Sequence, residues 1–181
     1  MNAVEPTKLR VFSHDPSAVL ERIFTDIQHQ RMAGIPLVNP RLAVRAVGFT
    51  RWQDCWIGAL LTPWFLNLIM LPAREAGWEP LAEGQRRRLP LPSGDYQFVG
   101  GHEERLGPYL FCSLLSPVQQ IATQQEAERI AGEVMELLLT PTVERDANGG
   151  LRPAAAPCGR ESVNPDKRDF LFGHLGRRPG L

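Results

Sequence analysis

The chain has 181 residues, 43% of them hydrophobic, with 20 Lys and Arg set against 20 Asp and Glu. That length and apolar content suit one domain with a real core plus a tail, and exclude disorder of the whole chain. The even charge balance provides no electrostatic basis for a nucleic-acid or anionic-membrane partner, so neither is expected.

The opening MNAVEPTKLRVFSHDPSAV carries no apolar h-region, so no secretory signal is read. The longest apolar run, residues 56–71, is broken by Pro63 and Asn67 and is too short for stable membrane insertion. Cys55, Cys112 and Cys158 are odd in number and form no C-x-x-C pair, which argues against a disulfide framework or a zinc knuckle. A cytoplasmic location is expected.

Asp15-Pro16 reads as a helix start. Val19, Leu20, Ile23, Phe24 and Ile27 follow at helical spacing, predicting a helix over about residues 16–32 that packs on a sheet. Gly34 and Pro36 stop it. A strand is expected over 42–49, a polar turn over 51–54 and a second strand over 55–62. The second strand is apolar on both faces and therefore central. Pro63 interrupts it, and a strand resumes over 65–71 after an expected bulge at Thr62-Pro63-Trp64-Phe65. Residues 73–85 form a long loop.

Arg86-Arg87-Arg88 opens a strand whose Pro90 and Pro92 mark it as an edge, and the arginines block edge-to-edge pairing. Ser93-Gly94-Asp95 is a hairpin turn. Strands over 96–101 and 109–115 follow, with HEERLGP between them as an exposed turn. Thr123-Gln124-Gln125-Glu126 fits a capping box. Ala127, Ile130, Ala131, Val134, Leu137 and Leu138 give an amphipathic helix to about residue 139. The expectation is an α+β domain over residues 1–140: a mainly antiparallel sheet of five or six strands, with one helix before it and one after. Residues 141–181, rich in Ala, Pro and Gly, read as a flexible tail that ends in the basic–apolar DKRDFLFGHLGRRPGL.

Chemistry concentrates in FVGGHEERLGPYLFCSLLSP, residues 98–117. A thiol nucleophile needs a base in hydrogen-bond reach, and His102 and Cys112 lie on neighbouring strands of one hairpin. Cys112 sits within an apolar strand, however, where a thiol packs as a small hydrophobe. His102, Glu103 and Glu104 are adjacent, so they do not all point one way as metal ligands must, even with Cys55 as a distant fourth. A thiol- or metal-dependent enzyme or metal carrier using Cys112 and His102 is the alternative reading. Gly100-Gly101 follows a strand and precedes another, which suits a bulge or a close backbone approach and not a phosphate loop. Trp64 and Phe65, at the proline break, are candidate core residues or binding anchors.

NPRLAVRAVGF, then W-x-G-x-L-x-TPWFLNLIMLP from Trp56, then LPSGDYQFVGGHEE, then GPYLFCSLLSP occur in this order and spacing. Together they resemble the HybE/HupJ/HoxT family of nickel–iron hydrogenase assembly chaperones, over roughly residues 17–140. The resemblance implies a cytoplasmic, non-catalytic accessory protein without a cofactor of its own. It implies binding to hydrogenase small-subunit or large-subunit precursors before export, with protection of iron–sulfur clusters from oxygen in some relatives. A second accessory protein is left open as a partner. Some relatives carry a fused rubredoxin-like module, for which this chain lacks the two C-x-x-C pairs.

Within that reading, Trp64, Phe65, Asn67, Gly101, His102, Glu103, Glu104 and Tyr109 are the candidate partner-binding residues. Trp64 and Phe65 are expected to wall a groove, and Glu103 and Glu104 to form its acidic rim for a twin-arginine segment. In the tail, Lys167, Arg168, Phe170 and Leu171 resemble the twin-arginine export pattern with lysine in place of the first arginine. They are candidates for an internal signal mimic or for docking on the core.

Overall fold

The computed structural model describes residues 9–141, 143–145 and 151–153. The elements are α1 (Ser17–Arg31), β1 (Arg45–Trp52), β2 (Cys55–Leu61), β3 (Leu66–Pro72), β4 (Arg86–Leu91), β5 (Gly94–Glu103), β6 (Gly107–Leu115), α2 (Gln124–Leu139), β7 (Val143–Arg145) and β8 (Leu151–Pro153). The first six strands make one antiparallel sheet in the order β1-β2-β3-β6-β5-β4. One helix precedes this sheet and one follows it, as expected.

Each face of the sheet has its own core, because strand side chains alternate between faces. Cys55, Ile57, Ala59 and Leu61 of β2, with Leu66, Leu68 and Met70 of β3, meet Ala127, Ile130, Ala131, Val134 and Leu138 of α2. On the other face Leu60, Ile69 and Leu71 meet Leu20, Ile23 and Phe24 of α1. β2 and β3 are therefore apolar on both sides, which explains their continuous hydrophobic run. Each such side chain fully removed from water contributes roughly 1.5–3 kcal/mol, so burial on the two faces dominates the stability.

Local chemistry sets the helix ends. Asp15 Oδ1 accepts from Ser17 N at 2.8 Å and from Ser17 Oγ at 2.6 Å. Thr123 Oγ1 accepts from Glu126 N at 3.2 Å, while Glu126 Oε2 reaches back to Ala122 N at 3.2 Å. The bonds to Ser17 N and Glu126 N satisfy amides that the first helical turn leaves open.

Three sequence expectations are corrected. β1 begins at Arg45, not residue 42, because Leu42 N turns back to Asn39 O and Ala43 N is taken by Gln124 Oε1. It runs on to Trp52, opposite Cys55, across a tight turn at Gln53 (φ 54°) and Asp54. Thr62-Pro63-Trp64-Phe65 is a hairpin turn between β2 and β3 and not a bulge: Thr62 N donates to Phe65 O, and Thr62 Oγ1 accepts from Trp64 N and Phe65 N. HEERLGP is not an exposed turn throughout. His102 and Glu103 continue β5, Gly107 and Pro108 open β6, and Glu103 and Leu106 are buried. After α2, β7 and β8 pair as a short antiparallel hairpin.

Candidate functional site

The site is built where β5 runs past its expected end. Gly101 pairs with Tyr109, His102 with Pro108 and Glu103 with Gly107. Alternation sends Gly101 and Glu103 to the α1 face and leaves His102 exposed on the other. A Cβ on Gly101 would stand 2.7 Å from Cζ of Tyr109, so only glycine lets that ring lie flat against β5.

Glu103 is 7% exposed, and a buried carboxylate is costly unless paired. Two guanidinium groups supply the pairing. Arg31, the last residue of α1, donates from Nη1 to Oε2 at 3.5 Å, and Arg105 Nε donates to Oε1 at 3.4 Å. Arg105 also donates to Asp26 Oδ2 at 2.5 Å and to Ile23 O at 3.2 Å, and its own carbonyl accepts from Arg10 Nη1. The Asp26 hydrogen bond pushes the Arg105 pKa up, with Glu103 adding to it. Burial pushes the Tyr109 hydroxyl up to about 12, with the charges of Glu103 and Glu83 adding to it. The side chain of Arg31 remains 62% exposed, so one of the two arginines on Glu103 is open to exchange. Glu104, next in the chain, is exposed and makes no ion pair among the described residues.

The aromatic pair lies elsewhere. Trp64 is 8% exposed and packs edge-on to Phe65 at 5.6 Å, and Phe65 packs edge-on to Phe24 of α1 at 6.0 Å. Trp64 is thus a core residue, and Phe65 is the half-buried member. The expected single groove is not formed. Leu66 pairs with Leu115, the last residue of β6, while Glu103 pairs with Gly107, its first. Eight residues of strand separate these ends, roughly 27 Å. α1 spans between them, with Phe24 on Phe65 and Arg31 on Glu103.

Nor are His102 and Cys112 brought together. His102 is opposite Pro108, four residues from Cys112, or roughly 13 Å along the strand. Cys55 is on β2, Sγ donates to Trp52 O at 2.9 Å, and burial pushes its thiol up to about 12, the opposite of an activated nucleophile. Among the described residues, no group of three or more His, Cys, Asp or Glu converges as a metal site would need. Asn67 is buried, and its Oδ1 finds no hydrogen-bond partner among the described residues. Lys167, Arg168, Phe170 and Leu171 lie outside the described residues. The sequence reading missed Arg31, Arg105 and Asp26. Its only available signals were an arginine ending a helix and another inside the turn it had marked as exposed.

The architecture recurs in a solved protein. The solution structure of HybE from Escherichia coli superposes with a TM-score of 0.61 at 23% identity, covering 98% of each chain. Sequence defines the family. A family model described as "[NiFe]-hydrogenase assembly, chaperone, HybE" matches residues 15–173. Protein HoxT of Cupriavidus necator is 38% identical over 167 residues, which is 85% of this chain and 86% of that protein. A probable rubredoxin HupJ of Rhodobacter capsulatus is 40% identical over 112 residues, of which this chain spans 40% of the length. The chain belongs to the HybE family of [NiFe]-hydrogenase assembly chaperones.

Proposed function

We propose that the chain acts in hydrogenase maturation by holding precursor subunits, and that the small subunit with its twin-arginine signal is the favoured client. The observation that carries this reading is the Glu103 carboxylate, which is already arranged to hold two guanidinium groups, one of them on an exposed arm. An incoming arginine pair competes with Arg31 for Glu103 and meets the exposed Glu104 beside it. Exposed ion pairs contribute only about 0.2–1 kcal/mol each, so most of the affinity comes from apolar burial, for which half-buried Tyr109 is the nearest surface. His102 faces the other side of the sheet and takes no part in this contact. Trp64, Asn67 and Gly101 act from within, by shaping the sheet face.

In this reading the protein works in the cytoplasm as a binding protein and catalyses no reaction. Holding the small subunit until its clusters are in place also shields them from oxygen. Lys167, Arg168, Phe170 and Leu171 act as an internal competitor for the same acidic site. The test is fluorescence anisotropy with a labelled peptide carrying the small-subunit signal. Binding is expected to weaken in Glu103→Gln and Glu104→Gln, and when the peptide's two arginines become glutamines. Equal affinity in all three cases would overturn the assignment of this site.

A further inference from the structure

The face of the sheet that carries α1 is only half covered. Among the described residues, α1 packs chiefly on β1 and reaches β5 through Arg31 on Glu103, with Tyr109 and Phe111 of β6 against its apolar cluster; no β4 residue joins that cluster. Two cross-strand rows run from buried β3 out to the open edge at β4. Ile69, Phe111, Val99 and Arg86 are paired in sequence across β3, β6, β5 and β4. Beside them lie Asn67 paired with Ser113, and Gln97 paired with Arg88. One row is apolar and ends in an arginine; the other is amide and hydroxyl and also ends in an arginine. Phe111 and Val99 are half-buried, and Ser113, Gln97, Arg86 and Arg88 are exposed.

Two features of this half-face await a partner. Asn67 is 7% exposed, and its Oδ1 is an acceptor with no donor among the described residues. A buried acceptor in that state is costly, and a native structure retains it where something else donates to it. Arg86 and Arg88 make no ion pair among the described residues, whereas Arg87, on the opposite face, is held by Glu79 at 3.0 Å. Strand addition at β4 is interrupted at Pro90, whose backbone turns outward with no N–H to offer.

We propose that this half-face docks an extended, apolar segment of a client subunit that carries carboxylates. Its main-chain amides meet Asn67, Ser113 and Gln97. One apolar side chain lies over Phe111 and Val99, and its carboxylates pair with Arg86 and Arg88. The surface is distinct in sign from the acidic site at Glu103, so one client engages both through segments of opposite charge. The proposal rests on the reading that the chain holds hydrogenase subunits.

The test is an array of overlapping peptides covering both hydrogenase subunits, probed with the full chain and with the Arg86→Glu/Arg88→Glu variant. The full chain is expected to capture peptides in which Asp or Glu flanks aliphatic or aromatic residues. The variant should bind those peptides roughly ten-fold more weakly. It should recover binding when their acids are changed to lysine, and it should retain binding to the arginine-bearing signal peptide. Acidic peptides held equally by both proteins would overturn the inference while leaving the docking reading intact. A wild-type chain that captures no peptide at all would overturn both. A dimer in sedimentation that the variant dissociates would overturn the inference alone, because a second copy would then cover the face.

Discussion

Gly100→Ala tests the close packing behind the site. An added Cβ would stand 2.3 Å from the Ala82 carbonyl oxygen, 2.7 Å from that of Leu81 and 2.8 Å from Leu81 Cβ. Two of these are backbone atoms, which no rotamer change can move. The loop over residues 73–85 must therefore retreat by roughly 1 Å. That retreat strains the bonds Gly84 N to Gly100 O (2.9 Å) and Gly100 N to Gln85 O (2.8 Å), and it withdraws buried Leu81 from the α2-side core. Each hydrogen bond is worth about 0.5–1.5 kcal/mol, and overpacking costs about 1–3 kcal/mol, for a loss of about 2–4 kcal/mol. For a chain of this size that lowers Tm by roughly 5–15 °C. Urea unfolding followed by circular dichroism, with an unchanged m-value, reads the loss directly. Gly132→Ala is the control: nothing lies within 4 Å of its Cβ, and it sits within α2. It should stabilise by about 0.5–1 kcal/mol. A Gly100→Ala protein within about 0.5 kcal/mol of the parent would refute the argument.

Glu103→Ala should destabilise more than Glu103→Gln, because glutamine retains an oxygen for Arg31 and Arg105; thermal unfolding of the two variants checks the order. Asn67→Leu removes an acceptor with no donor among the described residues and should leave stability equal or raise it by up to about 1 kcal/mol, while weakening capture of acidic peptides. Cys55 should resist iodoacetamide at pH 8 in the native protein and react only on unfolding, as peptide mass mapping will show. Burial raises Cys55 from 9.0 and Tyr109 from 10.0, each to about 12. Their neutral forms are thus favoured by folding, and the stability they add is intact below pH 9. It is lost as pH rises from 9 towards 12. Denaturation midpoints that stay flat from pH 9 to 11.5 would contradict this.

The parts of the fold that are local were legible. The apolar stripes of α1 and α2, the capping box at Thr123 and the doubly apolar β2 each carry their cause in adjacent residues. The errors share one physical origin, which is that a distant group settled the local choice. Leu42 to Val44 read as strand, but Gln124 of α2 claims Ala43's backbone. Thr62-Pro63-Trp64-Phe65 read as a pause in one strand, because a threonine hydroxyl bonding two amides leaves no mark in periodicity. Glu103 read as a solvated turn residue. Its burial depends on Arg31, 72 positions earlier, and on the ladder continuing past Gly101. The Glu103 and Phe65 ends read as one groove because spacing along the chain says nothing about which end of a strand each residue occupies.

The most direct test of the central claim is affinity capture of the tagged full chain from cells making the hydrogenase, with small-subunit and large-subunit precursors probed separately. The account predicts that the signal-bearing small subunit co-purifies, and that Glu103→Gln with Glu104→Gln depletes it. Recovery of the large-subunit precursor alone, or capture of the small subunit undiminished in that variant, would contradict it.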